Sequence, residues 1–280
     1  MVILHTLLSQ GVALLEKNTE SPRFEAEVLM CEILKKDRLY LSVHRDDIIC
    51  ESAADKFMEF CKRRSLGEPS AYITGHREFM SLDFKVNKNV LIPRPDTEIL
   101  TDKIITKYKN CNVSILDICT GSGAIAIALA FYMPSCKVYA TDISDKALEV
   151  ANENAENLLG NKKISFFKAD ALKKIHTDEK CDIVVSNPPY IESHVIETLD
   201  SDVKNFEPRL ALDGGKDGLI FYDRIVNNIE SVLAPGGELY FEIGFNQAKA
   251  VTDIMKTKFT NIQVTQDLAG LDRVVSGQLA

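Results

Sequence analysis

Apolar residues in the first part of the chain recur at the spacing of a helix. Leu4 and Leu7 begin a pattern that repeats every three or four positions, which is typical of a helix with one buried face. Ser21 followed by Pro22 predicts the start of the next helix, with Ser21 as its N-cap. A further helix is predicted at about residues 51–65. The pattern therefore predicts a small helical bundle.

After the bundle, apolar residues fall in shorter runs. Their pattern over about residues 71–86 predicts a β-hairpin. The prolines on either side of Arg94 favour an extended linker, and Asp96 or Thr97 can cap the helix that follows. The expected division is a helical domain at residues 1–86, a linker at 87–96 and a second domain at 97–280.

From residue 97 onward, predicted helices and strands alternate. This alternation is typical of the α/β class, with a doubly wound, mostly parallel sheet. The predicted helices are 97–109, 122–133, 144–158 and 217–233. The predicted strands are 113–118, 137–142, 163–167, 182–186, 237–243, 260–266 and 272–277. The last two have no clear helix between them, so we expect a seven-stranded sheet that ends in an antiparallel hairpin.

Composition and charge narrow the class of protein. The 280 residues are 45% hydrophobic and 26% charged, and no apolar run is long enough to span a bilayer, so no membrane partner is expected. Residues 1–90 carry 13 Lys and Arg against 14 Asp and Glu, and the rest of the chain carries 20 against 27. Stable nucleic-acid binding usually needs a basic face, so we do not expect it.

The cysteines point to a reducing compartment. There are seven of them, an odd number, and they are widely scattered without a histidine at metal-ligand spacing. This pattern favours free thiols in the cytoplasm over a disulfide framework, and it predicts no metal site.

A glycine turn between a strand and a helix is the first candidate site. In the run Cys119-Thr120-Gly121-Ser122-Gly123, the two glycines let a ligand approach the backbone closely, at a helix N-terminus. The pattern also fits a dinucleotide fingerprint. Asp142 ends the next strand, where a carboxylate can accept hydrogen bonds from both ribose hydroxyls of an adenosine. Alternatively, Asp142 caps the following helix, a role that Ser144 could fill.

Three more residues extend this candidate site. Asp170 closes the third strand and can accept from an adenine amino group, with Ala171 against the ring. Asp117 is an unusual polar residue inside a buried strand, and it would suit a cationic ligand. S-adenosylmethionine carries an ammonium and a sulfonium, whereas NAD brings a pyrophosphate that an extra carboxylate would repel. We therefore favour S-adenosylmethionine as the cofactor.

The run Asn187-Pro188-Pro189-Tyr190 follows an apolar strand and is the second candidate site. Two prolines remove two backbone donors and keep the chain extended. The Asn187 side-chain oxygen and the Pro188 carbonyl then form a pair of acceptors, with the Tyr190 ring as an apolar wall. Such a pair suits a planar group that carries an NH2, although a plain turn after a strand would show the same residues.

Together these motifs resemble a class I S-adenosylmethionine-dependent methyltransferase that acts on a planar nitrogen. Four further segments resemble the peptide chain release factor glutamine methyltransferases (the HemK/PrmC family) along essentially the whole chain: residues 67–79, 91–98, 207–219 and 267–273. Three positions depart from the family pattern. They are Cys119 in place of the usual glycine, Ala171 in place of a large aromatic found in some members, and Leu271 in place of a commonly basic residue.

The resemblance implies methylation of the N5 amide of the glutamine in the Gly-Gly-Gln loop of bacterial class I release factors. Residues 97–280 would form the methyltransferase domain. Residues 1–86 have a near-neutral helical surface without catalytic groups, so we expect them to contact this protein substrate; the alternative is that they only cover the active site. Residues 119–123, Asp142 and Ala171 would line the cofactor, Asn187 would face both cofactor and substrate, and residues 187–190 would hold the glutamine. Transfer is expected to be direct, without a general base.

Three alternatives stay open at this point. A DNA adenine-N6 methyltransferase would use the same four residues on a flipped base, but it should bring a basic recognition region. A ribosomal-protein glutamine methyltransferase is a nearer alternative, against which the segment 207–213 favours release factors. A nucleotide-binding module without enzymatic activity would require the Asn-Pro-Pro-Tyr run to be incidental.

Overall fold

The computed structural model describes residues 1–160, 164–171 and 179–280. Its α-helices are α1 (Leu4–Leu15), α2 (Pro22–Leu34), α3 (Arg38–Val43), α4 (Glu51–Ser65), α5 (Ser70–Thr74), α6 (Pro95–Tyr108), α7 (Ala124–Tyr132), α8 (Asp145–Leu159), α9 (Ser201–Phe206), α10 (Ile220–Asn228) and α11 (Ala248–Met255). Its strands are β1 (Val2–Ile3), β2 (Ile48–Ile49), β3 (His76–Phe79), β4 (Leu82–Lys85), β5 (Ser114–Ile118), β6 (Lys137–Asp142), β7 (Ser165–Lys168), β8 (Cys181–Ser186), β9 (Leu233–Glu242), β10 (Phe259–Gln266) and β11 (Asp272–Leu279). Short 3-10 helices lie at Ile196–Thr198, Arg209–Ala211 and Ile229–Ser231.

The chain divides into two compact units, and the smaller one is helical. It contains Met1–His76 together with Asp200–Phe206, so α9 belongs to this unit although it lies far along the chain. Helices α1, α2 and α4 pack around a core that includes Leu4, Leu29 and Phe57, all fully buried. The apolar stripes of the sequence therefore form the predicted bundle.

The larger unit contains Arg77–Leu199 and Glu207–Ala280. Its sheet has the strand order β10-β11-β9-β8-β5-β6-β7. Strands β5 to β9 are parallel to their neighbours among themselves, whereas β11 runs antiparallel to β9 and to β10. The predicted fold class is confirmed, including the antiparallel hairpin at one edge.

The register of the parallel strands fixes where the sequence motifs emerge. Ile118 at the end of β5 pairs with Thr141 of β6 and with Ser186 of β8. Ser186 in turn pairs with Phe241 of β9. The residues that come next lie side by side in this order: Asp142 at the end of β6, Cys119 and Asn187 just beyond β5 and β8, and Glu242 at the end of β9. The order in which successive strands are added to the sheet also reverses between β5 and β8. Ligands of such sheets bind at this switch point.

One predicted helix cap is confirmed in position and one is wrong. Helix α2 begins at Pro22 with Ser21 at the N-cap, as expected, although the Ser21 hydroxyl makes no capping hydrogen bond. Helix α6 begins at Pro95, with Arg94 at the N-cap, so Asp96 and Thr97 lie inside its first turn and cannot cap it. Proline supplies the helical φ angle and needs no hydrogen-bond partner at a first position, which explains why α6 begins two residues earlier than predicted.

Other boundaries differ from the sequence analysis for local reasons. The predicted hairpin began at about residue 71, but residues Ser70–Thr74 form α5, which ends at Gly75 with a φ of 81°. The predicted helix 217–233 is shortened to α10. Residue Leu233, the last of the predicted helix, is the first residue of β9. Helix α11 was not predicted. Residue 163, the first of the predicted strand 163–167, lies outside the described residues.

The hairpin β3–β4 packs within the larger unit. Phe79 and Phe84 are buried against Ala128 and Ile127 of α7. Within the described residues, no helix combines the length and the apolar character needed to cross a membrane. The functional roles assigned to residues 1–86, 87–96 and 97–280 stay predictions.

We expect Gly11→Ala to destabilise the protein, although alanine favours helices. Gly11 is buried in α1, and a methyl group there would lie 2.5 Å from the Phe57 ring and 2.9 Å from Cys61 Sγ. Overpacking of this kind typically costs about 1–3 kcal/mol, against a gain in helix propensity of about 1 kcal/mol. Denaturant unfolding should therefore give a lower free energy of unfolding.

A double-mutant cycle tests the cause. Phe57→Leu removes the obstructing ring, so Gly11→Ala should cost less in that background than in the wild type. Gln10→Ala, at the exposed neighbouring position, should be nearly neutral. Equal effects of Gly11→Ala in both backgrounds would show that the ring does not limit the space.

Candidate functional site

A cavity of about 300 Å³ lies at the carboxyl ends of the parallel strands. This volume is at the lower end of the range for small-molecule sites. Seven of the residues predicted from sequence line it: Cys119, Gly121, Asp142, Asp170, Ala171, Asn187 and Pro189. Pro188 does not line it. The structure thus brings the glycine turn and the Asn-Pro-Pro-Tyr run to one cavity.

The Asp142 carboxylate holds the glycine turn in place. Its Oδ2 accepts a hydrogen bond from the Gly121 amide at 2.9 Å, and its Oδ1 accepts from the Ser144 amide at 2.9 Å. Burial raises the pKa of Asp142, and the hydrogen bonds from Ser144 and Gly121 oppose this rise. Ser144 is the residue that caps α8, through a hydrogen bond from the Ala147 amide. Each carboxylate oxygen keeps a lone pair for another donor.

The backbone at the turn is left-handed at a residue that is not glycine. Cys119 has a φ of 63°, where a side chain usually costs about 1–2 kcal/mol. Gly121 has a φ of 57°, and a methyl group there would meet nothing within 4 Å. The turn is therefore open on the cavity side of Gly121, whereas the Cys119 side chain forms part of the wall.

Asp117 lies beneath the turn and is fully buried. The Thr120 hydroxyl donates to its Oδ2 at 2.6 Å, while Oδ1 has no partner among the described residues. Burial raises the pKa of Asp117 to about 7, against the lowering effect of the Thr120 hydrogen bond. Four of the predicted cofactor residues do not line the cavity: Asp117, Thr120, Ser122 and Gly123. They form the turn or lie beneath it. Their contact with a ligand stays a prediction.

The far end of the cavity contains a cation that the sequence analysis did not identify. Arg224 of α10 lies 3.6 Å from Asp170 and lines the cavity together with Phe221. The Arg224 guanidinium also lies 5.6 Å from the Phe221 ring centre. Ala171 adopts a φ of 51° and is a small residue that lines the same cavity. An aromatic ring and a guanidinium are suited to contact a flat heterocycle.

Asn187 and Pro188 present the predicted pair of acceptors. The Asn187 Nδ2 donates to the Thr97 hydroxyl at 3.2 Å. Among the residues that the structure describes, none donates a hydrogen bond to Asn187 Oδ1 or to the Pro188 carbonyl. Tyr190 does not line the cavity, and its hydroxyl donates to Glu242 at 3.4 Å.

Glu242 is a buried carboxylate beside the Asn-Pro-Pro-Tyr run, and it was not predicted. It is 2% exposed, and its Oε2 has no partner within the described part of the chain. Burial raises the pKa of Glu242 to about 7, while hydrogen bonds from Thr97 and Tyr190 and the charge of Arg273 oppose the rise. The carboxylate is thus connected to the Asn-Pro-Pro-Tyr run through the hydroxyl of Tyr190, the last residue of that run.

A glycine-rich loop supports the backbone of Tyr190. The Gln247 Nε2 donates to the Tyr190 carbonyl at 3.0 Å. Gly218 has a φ of 71°, and a methyl group there would lie 2.3 Å from the same carbonyl. Gly214 packs as closely, with 2.7 Å to the Tyr190 Cα. Only glycine fits at these two positions. This explains in structural terms why the segment 207–219, noted in the sequence, has glycine at both.

Two family models match the chain. Residues 6–75 match the family model for the PrmC N-terminal domain, and residues 109–277 match the model for a methyltransferase domain. The release factor glutamine methyltransferase of Clostridium acetobutylicum is 41% identical over 98% of both chains. The chain belongs to the release factor glutamine methyltransferase family. A second member, from Moorella thermoacetica, is 44% identical over 91% of this chain and 90% of its own length.

Membership in this family makes the chain an enzyme, a methyltransferase, as the sequence predicted. A methyltransferase structure from Pyrococcus furiosus superposes with a TM-score of 0.55 over 71% of this chain and 90% of its own, at 17% identity. At that identity the likeness supports the fold alone.

Several residues at the candidate site of this methyltransferase were not predicted from the sequence. Glu242 carried a usable signal, because it is a carboxylate at the end of an apolar strand, as Asp117 is. Pro208 and Leu210, which line the cavity, fall in the 207–219 segment that carried the resemblance without an assigned role. Arg224 gave no signal, because a single arginine on a helix is usually a solvated residue.

We expect Asp117→Asn to stabilise the protein increasingly as pH rises. The folded-state pKa of Asp117 is about 7, against an ordinary value of 3.8, so the native state keeps a proton that the unfolded state has lost. Wild-type stability therefore falls between about pH 4 and pH 7, by on the order of 4 kcal/mol from this group. Asparagine does not titrate and still accepts from Thr120.

Chemical denaturation of both proteins at pH 4.5 and pH 8 measures this effect. The free energy of unfolding of the variant minus that of the wild type should be larger at pH 8. The comparison removes the contribution of every other titrating group that the two proteins share. A difference that does not change with pH would mean that Asp117 is ionised throughout this range.

Proposed function

We propose that the protein methylates the N5 amide nitrogen of the glutamine in the Gly-Gly-Gln motif of bacterial class I release factors, using S-adenosylmethionine. Two relatives that match nearly the whole chain carry the name release factor glutamine methyltransferase. Their names specify the protein and the residue that are methylated. The motif follows from the family resemblance of the sequence, and the cofactor is inferred from the chemistry of the site.

The observation that carries the proposal is the pair of acceptors in the Asn-Pro-Pro-Tyr run. Asn187 lines the same cavity as Asp142 and Gly121, whereas Pro188 does not line it. Asn187 Oδ1 and the Pro188 carbonyl have no donor among the described residues. An amide NH2 has two hydrogens to donate, and acceptors on two consecutive residues would supply one for each.

The residues around the cavity fit S-adenosylmethionine. The free lone pairs of the Asp142 carboxylate can accept from ribose hydroxyls. Asp170, Ala171 and the Phe221–Arg224 pair would hold the adenine at the other end. Asp117 has a buried oxygen without a partner beneath the turn, and its charge would favour a cationic ligand above it.

The protein's part in the reaction is to orient the nucleophile. S-adenosylmethionine supplies a methyl group on a positively charged sulfur. The glutamine nitrogen is a weak nucleophile because its lone pair is delocalised into the carbonyl. When Asn187 Oδ1 and the Pro188 carbonyl accept its two hydrogens, they direct the lone pair toward the methyl carbon. They would also stabilise the positive charge that develops on nitrogen as the nitrogen–methyl bond forms and the sulfur–methyl bond breaks. The sulfur would leave as a neutral thioether, and the methylated nitrogen would give one proton to solvent.

The remaining parts of the chain have supporting roles in the proposal. Residues 1–86 carry no catalytic group and would contact the release factor. The acidic balance of the larger part disfavours stable binding of nucleic acid. Seven free cysteines suit the cytoplasm, where release factors act.

Mass spectrometry of a release factor before and after incubation with the enzyme and S-adenosylmethionine tests the proposal. A gain of one methyl group on the motif glutamine is expected. A release factor with asparagine in place of that glutamine is the matched control and should gain nothing. Ribosomal proteins and duplex DNA, incubated in parallel, test the alternative glutamine and adenine methyltransferases. Methylation of one of these instead of the release factor would overturn the proposal.

Asp142→Ala should weaken cofactor binding by about 1–3 kcal/mol, the range for a lost hydrogen bond that involves a charged group. The variant also loses the acceptor that orients the Gly121 amide. Titration calorimetry with S-adenosylhomocysteine measures the effect. Asp145→Ala is the control, because Asp145 is exposed near the same strand end and outside the cavity. Unchanged affinity in Asp142→Ala would remove Asp142 from the site.

Asn187→Ala should slow methyl transfer by roughly 10²–10³-fold, as expected for one lost preorganised contact at a centre that develops charge. Affinity for S-adenosylhomocysteine should change little, because most of the cavity wall is intact. Asn187→Asp keeps an acceptor oxygen and should retain more activity than the alanine variant. Single-turnover methylation of release factor separates the two variants. Wild-type turnover in Asn187→Ala would refute the mechanism.

A further inference from the structure

Two buried amide side chains lie behind the candidate site, one for each of its halves. Asn154 of α8 is 1% exposed, and Gln247, at the N-cap of α11, is 8% exposed. Neither residue lines the cavity. Both make hydrogen bonds to backbone groups of the segments that carry the candidate residues, so any effect on the site passes through the backbone.

Asn154 joins the β3–β4 hairpin to the glycine turn. Its Oδ1 accepts from the Lys85 amide at 2.8 Å. Its Nδ2 donates to the Lys85 carbonyl at 3.0 Å and to the Ser122 carbonyl at 2.9 Å. Asp142 holds the amide of Gly121, and Asn154 holds the carbonyl of the next residue. Two side chains thus fix successive residues of the turn.

Gln247 attaches the Asn-Pro-Pro-Tyr run to its surroundings in a similar way. Its Oε1 accepts from the Gly244 amide at 2.9 Å, just beyond β9. Its Nε2 donates to the Tyr190 carbonyl at 3.0 Å and to the Gly218 carbonyl at 3.4 Å. The run is therefore connected both to the end of β9 and to the glycine-rich loop.

The orientation of both amides follows from backbone groups alone. A backbone N–H can only donate, and a backbone carbonyl can only accept. The side-chain oxygens must therefore face the amides of Lys85 and Gly244, and each NH2 group must face two carbonyls. Neither assignment depends on a hydroxyl proton or on the ionisation of a neighbour. Loss of either NH2 group would leave backbone carbonyls without these donors.

The Asn-Pro-Pro-Tyr run is held at both of its ends. Upstream, β8 ends at Ser186, within the sheet. Downstream, Gln247 holds the Tyr190 carbonyl. The two prolines between these points have a fixed φ, so few torsions stay free. The acceptors of Asn187 and Pro188 would then keep their direction before a substrate arrives, as preorganised stabilisation requires.

We propose that Asn154 and Gln247 are positioning residues with separate tasks. Asn154 fixes the glycine turn for the cofactor, and Gln247 fixes the Asn-Pro-Pro-Tyr run for methyl transfer. The task of Gln247 rests on the proposed function, whereas that of Asn154 needs only the cofactor site. Both residues belong to the larger unit, so a merely structural role would predict similar effects of the two on binding and on turnover.

Titration calorimetry with S-adenosylhomocysteine tests the task of Asn154. Asn154→Asp keeps an acceptor for the Lys85 amide but places a carboxyl oxygen opposite the Ser122 carbonyl. Affinity should fall by roughly 3- to 10-fold, the range for one lost hydrogen bond. Gln247→Glu is the matched control, because it makes the same change of an amide to a carboxyl and should leave the affinity nearly unchanged. Unchanged affinity in Asn154→Asp, or equal losses in both variants, would overturn the inference.

Steady-state kinetics on release factor test the task of Gln247. Gln247→Glu should lower kcat by roughly 10-fold, less than a complete misplacement of a reacting group. KM for release factor and for S-adenosylmethionine should stay within a few fold. Asn154→Asp should instead raise KM for S-adenosylmethionine more than it lowers kcat. Asn246→Ala, at the exposed neighbouring position, is the control. Wild-type kcat in Gln247→Glu would overturn the inference.

A double variant separates positioning of the acceptors from a general effect on the fold. Gln247→Glu should cost less in the Asn187→Ala background than in the wild type, because one of the acceptors that it positions is already gone. Fully multiplied effects would overturn the role of Gln247. Should a carboxyl variant fail to fold, Asn154→Leu and Gln247→Met remove the same donors with apolar side chains of similar size.

Nuclear magnetic resonance gives a readout that does not depend on activity. The sequence contains two Tyr-Ile pairs, at residues 72–73 and 190–191. Protein labelled with ¹³C at tyrosine carbonyls and ¹⁵N at isoleucine therefore gives two carbonyl–nitrogen correlations. The Tyr190 signal should shift in Gln247→Glu, and the Tyr72 signal should not. An unshifted Tyr190 signal would overturn the inference. If wild type does not methylate release factor, the proposed function fails, and calorimetry and this spectrum still decide what the two amides hold.

Discussion

The parallel register of four strands is the constraint on which the site depends. Because β6, β5, β8 and β9 end within one residue of the same level, the residues at and just beyond their ends are neighbours across the sheet although they are far apart in the sequence. Asp142 and Cys119 come from one side of the switch point and Asn187 and Glu242 from the other. A shift of one residue in a single strand would turn that strand's side chains to the opposite face. Both the cofactor contacts and the substrate contacts thus rely on backbone hydrogen bonds that lie within the sheet.

Two buried carboxyl groups, Asp117 and Glu242, lie near the carboxyl ends of the parallel strands. Asp117 accepts from the Thr120 hydroxyl at 2.6 Å, and Glu242 accepts from the Tyr190 hydroxyl at 3.4 Å, so each is held by a hydroxyl group close to the site. In both, one oxygen has no partner within the described residues, and burial raises the pKa to about 7. Burial of such groups reduces stability, and natural proteins usually keep this cost where a charge has a use. A ligand with positive charge would stabilise the ionised forms.

Much of the fold and of the candidate site could be predicted from the sequence because the signals were local. Apolar runs that end in glycine or proline located β5 and β8, and the Pro188–Pro189 pair marked the carbonyl beside Asn187. The missed features depend on contacts between distant segments. Thr97 looked like a helix cap because only its neighbours in the chain were visible, whereas its hydroxyl faces β8 and β9. Arg224 has meaning only beside Asp170, from another element. Helix α11 was missed because its apolar stripe is short and lies between two strands.

The membership of α9 in the smaller unit has a consequence for the order of folding. Arg64 in that unit is almost buried and pairs with Glu25 at 3.3 Å and with Asp202 at 3.8 Å. Asp202 leaves the ribosome on the order of ten seconds after the rest of the unit, at typical rates of bacterial synthesis. Until then, the nascent bundle exposes the surface that Asp200–Phe206 later covers. The N-terminal segment is thus the first to be made, yet it can be completed only when most of the chain has been synthesised.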